Sequence, residues 1–353
     1  MRHRLINPVR SKTSMSRRVI LTGANGHVGT ALTRELLEHG YFVRGTVRDV
    51  NDASKTEHLL KHAVELGASD RLELVSADLM DSDCWAAVFE GEWDGLFQTA
   101  AVYQTESKNP EKEIVEPSII GTLNPLRAAA AAGVKRVVYT SSVAAIGGLP
   151  VGRPKTEADW QTNFSLPYTY AKVESEKRAW ALAEELGLDL RVINPSMVLG
   201  PYFERHTPST EVIENMMTGA YPAAPKITFG IVDVRDVASA HRIAFEADTE
   251  GRHITSTETL MMMEVGRRVK AIEPKAKTPK FTAPWIVIYL NLGVDWFFGL
   301  FGKKRTITLP LVRNMRTGDS YMDNSKLRAL DWNPRSIDET IADTIAWIKA
   351  NGD

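Results

Sequence analysis

The chain has 353 residues, 43% hydrophobic and 25% charged, with a net charge of −1. This is globular composition, and the near balance of charge excludes a broad electrostatic attraction for nucleic acid or an anionic membrane. The one cysteine, Cys84, excludes an internal disulfide, and no Cys/His group has zinc spacing, so a reducing, cytoplasmic setting and no metal are expected.

Residues 1–16 are basic and polar and lack the apolar run of a secretory signal. They read as an extension outside the fold, with an Arg/Ser-rich transit peptide as the alternative. Val19 to Thr22 then predicts a strand, and His27 to His39 a helix that stops at Gly40. Further strands are predicted at Tyr41–Val47, Leu72–Val75, Gly95–Thr99, Val137–Thr140 and Leu190–Ile193, with helices over Val115–Ala132 and Tyr168–Leu186. Strands and helices alternating in this way predict an α/β fold, a Rossmann doubly wound parallel sheet, over residues 17–200. Proline and glycine become frequent after Gly200, and a smaller, mixed C-terminal substrate lobe is expected over 201–353. Residues 227–247 and the final helix, Ile337 to Ala350, are expected to return to the Rossmann domain. Trp285 to Phe301 is the most membrane-like stretch. It carries Asn291, Gly293 and Asp295 and falls short of the roughly 20 apolar residues that span a bilayer, so it reads as buried or lid-forming.

The segment TGANGHVG (residues 22–29) lies between the first strand and the first helix. In that context Gly23 permits a tight turn, Gly26 lets a pyrophosphate approach backbone amides, and Gly29 lets helix and strand pack closely. Thr22, Asn25, His27 and Val28 complete this candidate cofactor turn, and the helix N-terminus offers unpaired N–H groups to phosphate. The second strand ends at Arg48, with Lys55 slightly beyond. An arginine there accommodates a 2′-phosphate, so NADP(H) is expected over NAD(H), although Asp49 follows and a solvated surface charge is the alternative for Arg48. Asp78, after the third strand, reads either as an acceptor for adenine or as a helix N-cap. Thr99, Ala100 and Ala101, at the end of the fourth strand, are placed beside the same cofactor.

Tyr168 and Lys172 are four apart and share a helical face. A phenol has a reference pKa near 10, and an adjacent ammonium favours phenolate. Such a tyrosine can donate a proton to a carbonyl oxygen as hydride arrives at carbon, while the lysine also holds the nicotinamide ribose. Ser142 follows the fifth strand, where an open α/β sheet binds ligand, and can polarise the same carbonyl. Tyr170 has Glu174 at the equivalent spacing, so it reads as a packing residue, and Ser141 as a hydroxyl satisfied in the turn.

These residues resemble the extended short-chain dehydrogenase/reductases, in the branch of dihydroflavonol 4-reductases, cinnamoyl-CoA reductases and microbial aldehyde/ketone reductases. The resemblance runs over about residues 17–350. It rests on TGANGHVG, YFVRGTVRD, SADL (76–79), residues 106–124, YTSSVAAIG, YTYAK, INPSMVLGP (193–201), IVDVRDVASAH and YMDNSKLRALDW. It implies that Arg48 meets the NADP phosphate, that Asp78 and Leu79 face adenine, and that Pro195, Ser196 and Val198 line the nicotinamide. It also implies Ser142, Tyr168 and Lys172 as the catalytic set and a homodimer through a four-helix interface. Three positions depart from the branch. Gly147 replaces an asparagine of the flavonoid reductases, SLPYTY (165–170) replaces the signature NWYCY, and Ser118 stands near the central-helix asparagine of many relatives.

The expected function is therefore NADP(H)-dependent reduction of a small, hydrophobic aldehyde or ketone, with no nucleic-acid or membrane partner. Ala101–Gln104, Ile146–Leu149, Tyr202, Phe203 and Trp285–Phe301 are the expected pocket. A sugar-nucleotide epimerase, a 3β-hydroxysteroid dehydrogenase and a catalytically silent NADP(H) sensor are the alternatives.

Overall fold

A computed structural model of the chain describes residues 16–101, 107, 109–147, 152–299, 308–309, 312–313 and 321–351. The extension over 1–15 lies outside the described residues. Six strands alternate with helices in the first half: β1 (Arg18–Thr22), α1 (His27–Glu38), β2 (Phe42–Val47), α2 (Ala53–Glu65), β3 (Leu72–Ser76), α3 (Trp85–Val88), β4 (Gly95–Gln98), α4 (Glu116–Ala131), β5 (Arg136–Thr140), α5 (Val143–Ile146), α6 (Pro167–Leu186) and β6 (Asp189–Pro195). A π-helical turn, Glu111–Val115, leads into α4, one turn earlier than the apolar spacing predicts.

Period-two alternation decides the two faces of the sheet. Leu21, Phe97, Val138 and Ile193 point to a core shared with Leu32 and Leu36 of α1. Ile20, Leu96, Val137 and Val192, their immediate neighbours, point to a core shared with Leu126 of α4 and Ala179 of α6. Strands buried on both faces read as continuous apolar runs, and parallel sheets covered by helices have that pattern.

The second half comprises β7 (Met197–Leu199), α7 (Pro208–Thr218), β8 (Ala224–Pro225), β9 (Thr228–Asp233), α8 (Val234–Glu246), β10 (Gly251–Thr255), β11 (Glu258–Met261), α9 (Met262–Ile272), β12 (Thr282–Ala283), α10 (Trp285–Gly299), α11 (Ser325–Arg328) and α12 (Ile337–Asn351). The main sheet has the order β10-β6-β5-β4-β1-β2-β3, every pair parallel. This is the expected Rossmann-like α/β architecture. Strand order reverses where β1 meets β4, and ligands bind beyond such a point.

Two expectations about the return of the chain need correction. Helix α8 does pack on the Rossmann core, through Val237, Ala240 and Ala244. The strand before it does not join the main sheet: β9 pairs with β7 and β11 in a separate three-stranded sheet, and the seventh main strand is β10, paired with β6. The final helix also stays in the lobe, because Ile337, Ile341, Ile345 and Ile348 pack with Ile213, Met216, Val265 and Val269 of α7 and α9. An apolar helical stripe carries no label for its partner, so the sequence pattern could not choose between the two cores. Among the described residues no helix is long and apolar enough to cross a membrane.

The packing of α1 on β1 makes one residue intolerant. A Cβ on Gly29 would lie 2.1 Å from the Gly23 carbonyl oxygen, a backbone atom that cannot swing aside. Gly29→Ala is expected to lower stability by about 1–3 kcal/mol, the usual cost of overpacking. A Cβ on Gly293 in α10 meets nothing within 4 Å, so Gly293→Ala is expected to gain about 1 kcal/mol from helix propensity. Thermal midpoints of the two variants, moving in opposite directions, check the contrast.

Candidate active site

The glycine turn is built by two close approaches, at Gly23 and Gly29, and one open position, at Gly26. Gly23 has φ +64, and a side chain there would strike Ala100 at 2.9 Å. Gly29 lets α1 start directly over the turn. Gly26 is the N-cap of α1 and supplies no side-chain cap, and the first turn of the helix holds no acidic residue. Its leading N–H groups are thus left to an anionic ligand, and the only neighbour of a Cβ on Gly26 is a carbonyl at 3.4 Å. Thr22 does not reach this surface. It is fully buried, donates to Gln98 Oε1 at 2.6 Å, and accepts the Thr99 and Ala100 amides at 3.0 Å each. It positions the turn rather than touching a ligand.

A cleft of about 1230 Å³ opens above these residues. It is lined by Gly23, Asn25, Gly26, His27, Val28, Gly29, Arg48, Lys55, Asp78, Leu79, Thr99, Ala100 and Ala101 from the first half of the sheet, and by Ser142, Tyr168, Pro195, Ser196 and Val198 from the second. His27 also ties the lobe down. Burial pushes its pKa to about 4, so the neutral ring donates from Nε2 to the Pro201 carbonyl at 2.9 Å.

Arg48 is exposed on the cleft wall, and Lys55, Ser54, His58 and Arg205 line the same cleft. Asp49, the residue that complicates the cofactor assignment, is turned away. It does not line the cleft, and its Oδ1 accepts the Asn51 amide at 2.9 Å. Asp78 lines the cleft, and it is no helix N-cap, since the next helix begins at Trp85; its Oδ1 accepts the Met80 amide at 2.9 Å in a local turn.

Tyr168 lies on the first turn of α6, and Lys172 one turn later. Lys172 Nζ is 5.9 Å from the centre of the Tyr168 ring and does not itself line the cleft. Burial pulls the Lys172 ammonium down to about 8, and the Glu176 carboxylate opposes that fall. Ser142 caps α5, its Oγ accepting the Ala144 amide at 3.1 Å. With a lone pair thus engaged, its O–H proton is available to a ligand oxygen. Ser141 is satisfied as expected, by Glu176. Ser118 Oγ donates to the Ile114 carbonyl at 2.6 Å on its own helix. That local bond accounts for its hydroxyl without a catalytic relay.

Sequence reasoning missed the supports beneath this set. Glu176 is wholly buried and pairs with Arg252 Nε at 2.6 Å. Asn194 Nδ2 donates to Glu176 Oε2 at 3.0 Å and to the Ser142 carbonyl at 3.2 Å. One carboxylate therefore holds the Ser141–Ser142 turn and biases Lys172. Its position four residues after Lys172 was a visible signal, because it shares the helical face. Ser196 Oγ is buried on the cleft and has no hydrogen-bond partner among the described residues, which suits a polar ligand group.

The expected pocket needs correction. Ala101, Gly147 and Phe203 line the cleft, but Ile146 and Tyr202 do not. Tyr202 instead stacks edge-on against His62 and Trp347 under the Arg34 guanidinium. The described part of Trp285–Phe301 lines no part of the cleft and is mostly exposed rather than buried or lid-forming. Residues 102–104 and 148–149 lie outside the described residues. Gly147 has φ +114 and ψ 157, a region essentially restricted to glycine, so this backbone would not accept the asparagine of the flavonoid reductases.

Residues 19–256 match the NAD dependent epimerase/dehydratase family. The chain belongs to that family. Within it, the chain falls in the reductase branch of the extended short-chain dehydrogenase/reductases. It is 36% identical to cinnamoyl-CoA reductase CAD2 of Medicago truncatula over 79% of this chain and 89% of that protein. It is 30% identical to a putative dihydroflavonol 4-reductase of Synechocystis over 94% of each. Among solved structures it is similar to gox2253 (30% identity, TM-score 0.79, covering 96% and 99% of the two chains). It is also similar to Gre2 of Candida albicans in complex with NADPH (25% identity, TM-score 0.75, 96% and 100%).

Glu176 gives a pH test for this family member. Glu176→Gln removes the charge that favours the Lys172 ammonium, so the Lys172 pKa moves further below about 8. The alkaline limb of the turnover profile is then expected to shift to lower pH, on the order of one unit. Glu176→Asp should restore part of the shift. An unmoved limb in a folded Glu176→Gln protein contradicts the coupling.

Proposed function

We propose that the protein is an NADP(H)-dependent reductase of a hydrophobic aldehyde or ketone. The observation that carries this reading is one continuous cleft joining the glycine turn and Arg48 to Ser142 and Tyr168. The NADPH complex of the similar Gre2 supports the choice of cofactor. So does the arrangement at the end of β2, where the arginine faces the cleft and the acid is spent on its own turn. Gly23, Gly26 and the α1 N-terminus would hold the pyrophosphate, and Arg48 with Lys55 the 2′-phosphate. Val143, Ala144, Met197, Phe203, Phe229 and Met322 give the substrate part an apolar lining, as a hydrophobic carbonyl compound requires.

When bound, the nicotinamide supplies a hydride to the carbonyl carbon. Ser142 donates a hydrogen bond to the carbonyl oxygen, and Tyr168 transfers its phenolic proton to that oxygen as negative charge develops. The Lys172 ammonium stabilises the resulting phenolate, and the Glu176 carboxylate behind it keeps the lysine charged near neutral pH. In the reverse direction the same phenolate accepts the alcohol proton.

Tyr168→Phe is expected to reduce turnover by about 10²–10⁴-fold, the scale of a lost general acid, with NADPH binding by fluorescence within a few-fold of the parent. Arg48→Ala is expected to raise the KM for NADPH by roughly tenfold or more and to leave that for NADH nearly unchanged, since a phosphate-directed charge-assisted contact is lost. Equal losses with both cofactors would contradict the role of Arg48.

A further inference from the structure

The segment between β7 and α7 is pinned at both ends and exposed in the middle. At its start His27 Nε2 donates to the Pro201 carbonyl at 2.9 Å, and Trp347 Nε1 of α12 donates to the Phe203 carbonyl at 2.8 Å. The buried Phe203 ring meets the His27 ring edge-on at 5.4 Å. At its end the Thr207 hydroxyl caps α7 by accepting the Thr210 amide. Glu204, Arg205 and His206 stand between these anchors, and all three are exposed and line the cleft. A loop anchored so closely on both sides has already lost most of its freedom, so a ligand meeting it need order only a side chain.

Ser54, Lys55 and His58 of α2 line the same cleft from the Rossmann side, and the two groups lie within electrostatic reach of each other. Burial pulls the His58 imidazole below its usual range, and the Glu204 carboxylate opposes that fall. The Ser54 hydroxyl holds the Asp52 carboxyl below its usual range, and Lys55 and Arg205 add to the effect. Most of these groups are already engaged. His206 Nδ1 lies 3.4 Å from the Glu214 carboxylate. Asp52 Oδ1 accepts both the Ser54 amide and the Ser54 hydroxyl. Arg205 makes no hydrogen bond or ion pair among the described residues.

Three cations thus line one cleft, Arg48 from the end of β2, Lys55 from α2 and Arg205 from the lobe. Cations gathered in this way attract an anion of more than one charge. We infer that Arg205 is a third ligand of the cofactor's adenosine 2′-phosphate, reaching it from the lobe while Arg48 and Lys55 reach it from the Rossmann domain. This rests on the NADP(H) reading above and adds to it that the lobe takes part in choosing the phosphate. A guanidinium suits the task, because its planar fork gives paired N–H donors to phosphate oxygens.

The test is calorimetric titration of the full chain with adenosine 2′,5′-bisphosphate and with 5′-AMP, which differ only in the 2′-phosphate. Arg205→Ala is expected to weaken the bisphosphate about tenfold and to leave 5′-AMP within about twofold of the parent. Arg205→Lys should recover part of the loss, since a point charge remains. High salt should narrow the gap between the parent and Arg205→Ala, because an exposed charge contact is screened. Equal losses for both nucleotides would place Arg205 on the adenine or the 5′-phosphate and overturn the proposal. So would a parent that prefers the bisphosphate and an Arg205→Ala protein that keeps the whole preference, which would leave the NADP(H) reading standing. A parent with no preference for the bisphosphate would overturn both.

Discussion

The parallel pairing of β1 with β4 is the constraint on which the cleft depends. The two strands lie side by side, yet the chain leaves them into α1 and toward α4 on opposite faces of the sheet. The space between those departures becomes the floor of the cleft. Thr22 fixes that floor, because a single buried hydroxyl bonds Gln98 and both amides after β4. Gly23 and Gly29 then let α1 descend onto it with no side chain between. Without these contacts the helix N-terminus would not point into the cleft, and Arg48 and Tyr168 would not share one.

A second fixed point sits beneath the chemistry. The buried carboxylate of Glu176 is held by Arg252, Asn194 and Ser141, so three separate elements converge on one pair of oxygens. A buried ion pair of this kind is weak evidence for stability, since desolvation offsets much of the attraction. Its effect here is positional. It holds the turn that carries Ser142 and places a negative charge one helical turn behind Lys172. Tyr168, Lys172 and Glu176 then follow one another on a single face of α6, a phenol, a cation and an anion in order.

Much of this was legible before any coordinates. Continuous apolar runs in β1, β4, β5 and β6 declare a sheet with two buried faces, and the glycine turn declares its neighbours because only a strand before and a helix after give it meaning. Tyr168, Lys172 and Ser142 were singled out by spacing and by their place at strand and helix ends, and Ser142 and Tyr168 line one cleft. What was not legible depended on distance along the chain or on direction. Arg252 is 76 residues from Glu176, and nothing local marks the two as partners. The stripe on α12 shows that the helix is buried but not against which core. The apolar composition of α10 suggested burial, yet composition does not say which way side chains point. Thr22 looked like a ligand contact because it opens the glycine motif, and its hydroxyl turns into the protein instead. Gly147 was visible as a departure, but only its backbone angles explain why no asparagine stands there.

The central claim is hydride delivery from NADPH to a carbonyl carbon in this cleft, and isotope transfer reads it directly. The measurement incubates the enzyme with NADPH deuterated at nicotinamide C4, in each stereochemical form, and a panel of hydrophobic aldehydes and ketones. Mass spectrometry then examines the alcohol. The account predicts that one form places a single deuterium on the former carbonyl carbon, with loss of an equal amount of NADPH. Bound NADPH with no deuterium reaching any carbonyl, or interconversion of a sugar nucleotide with no net loss of cofactor, would contradict it.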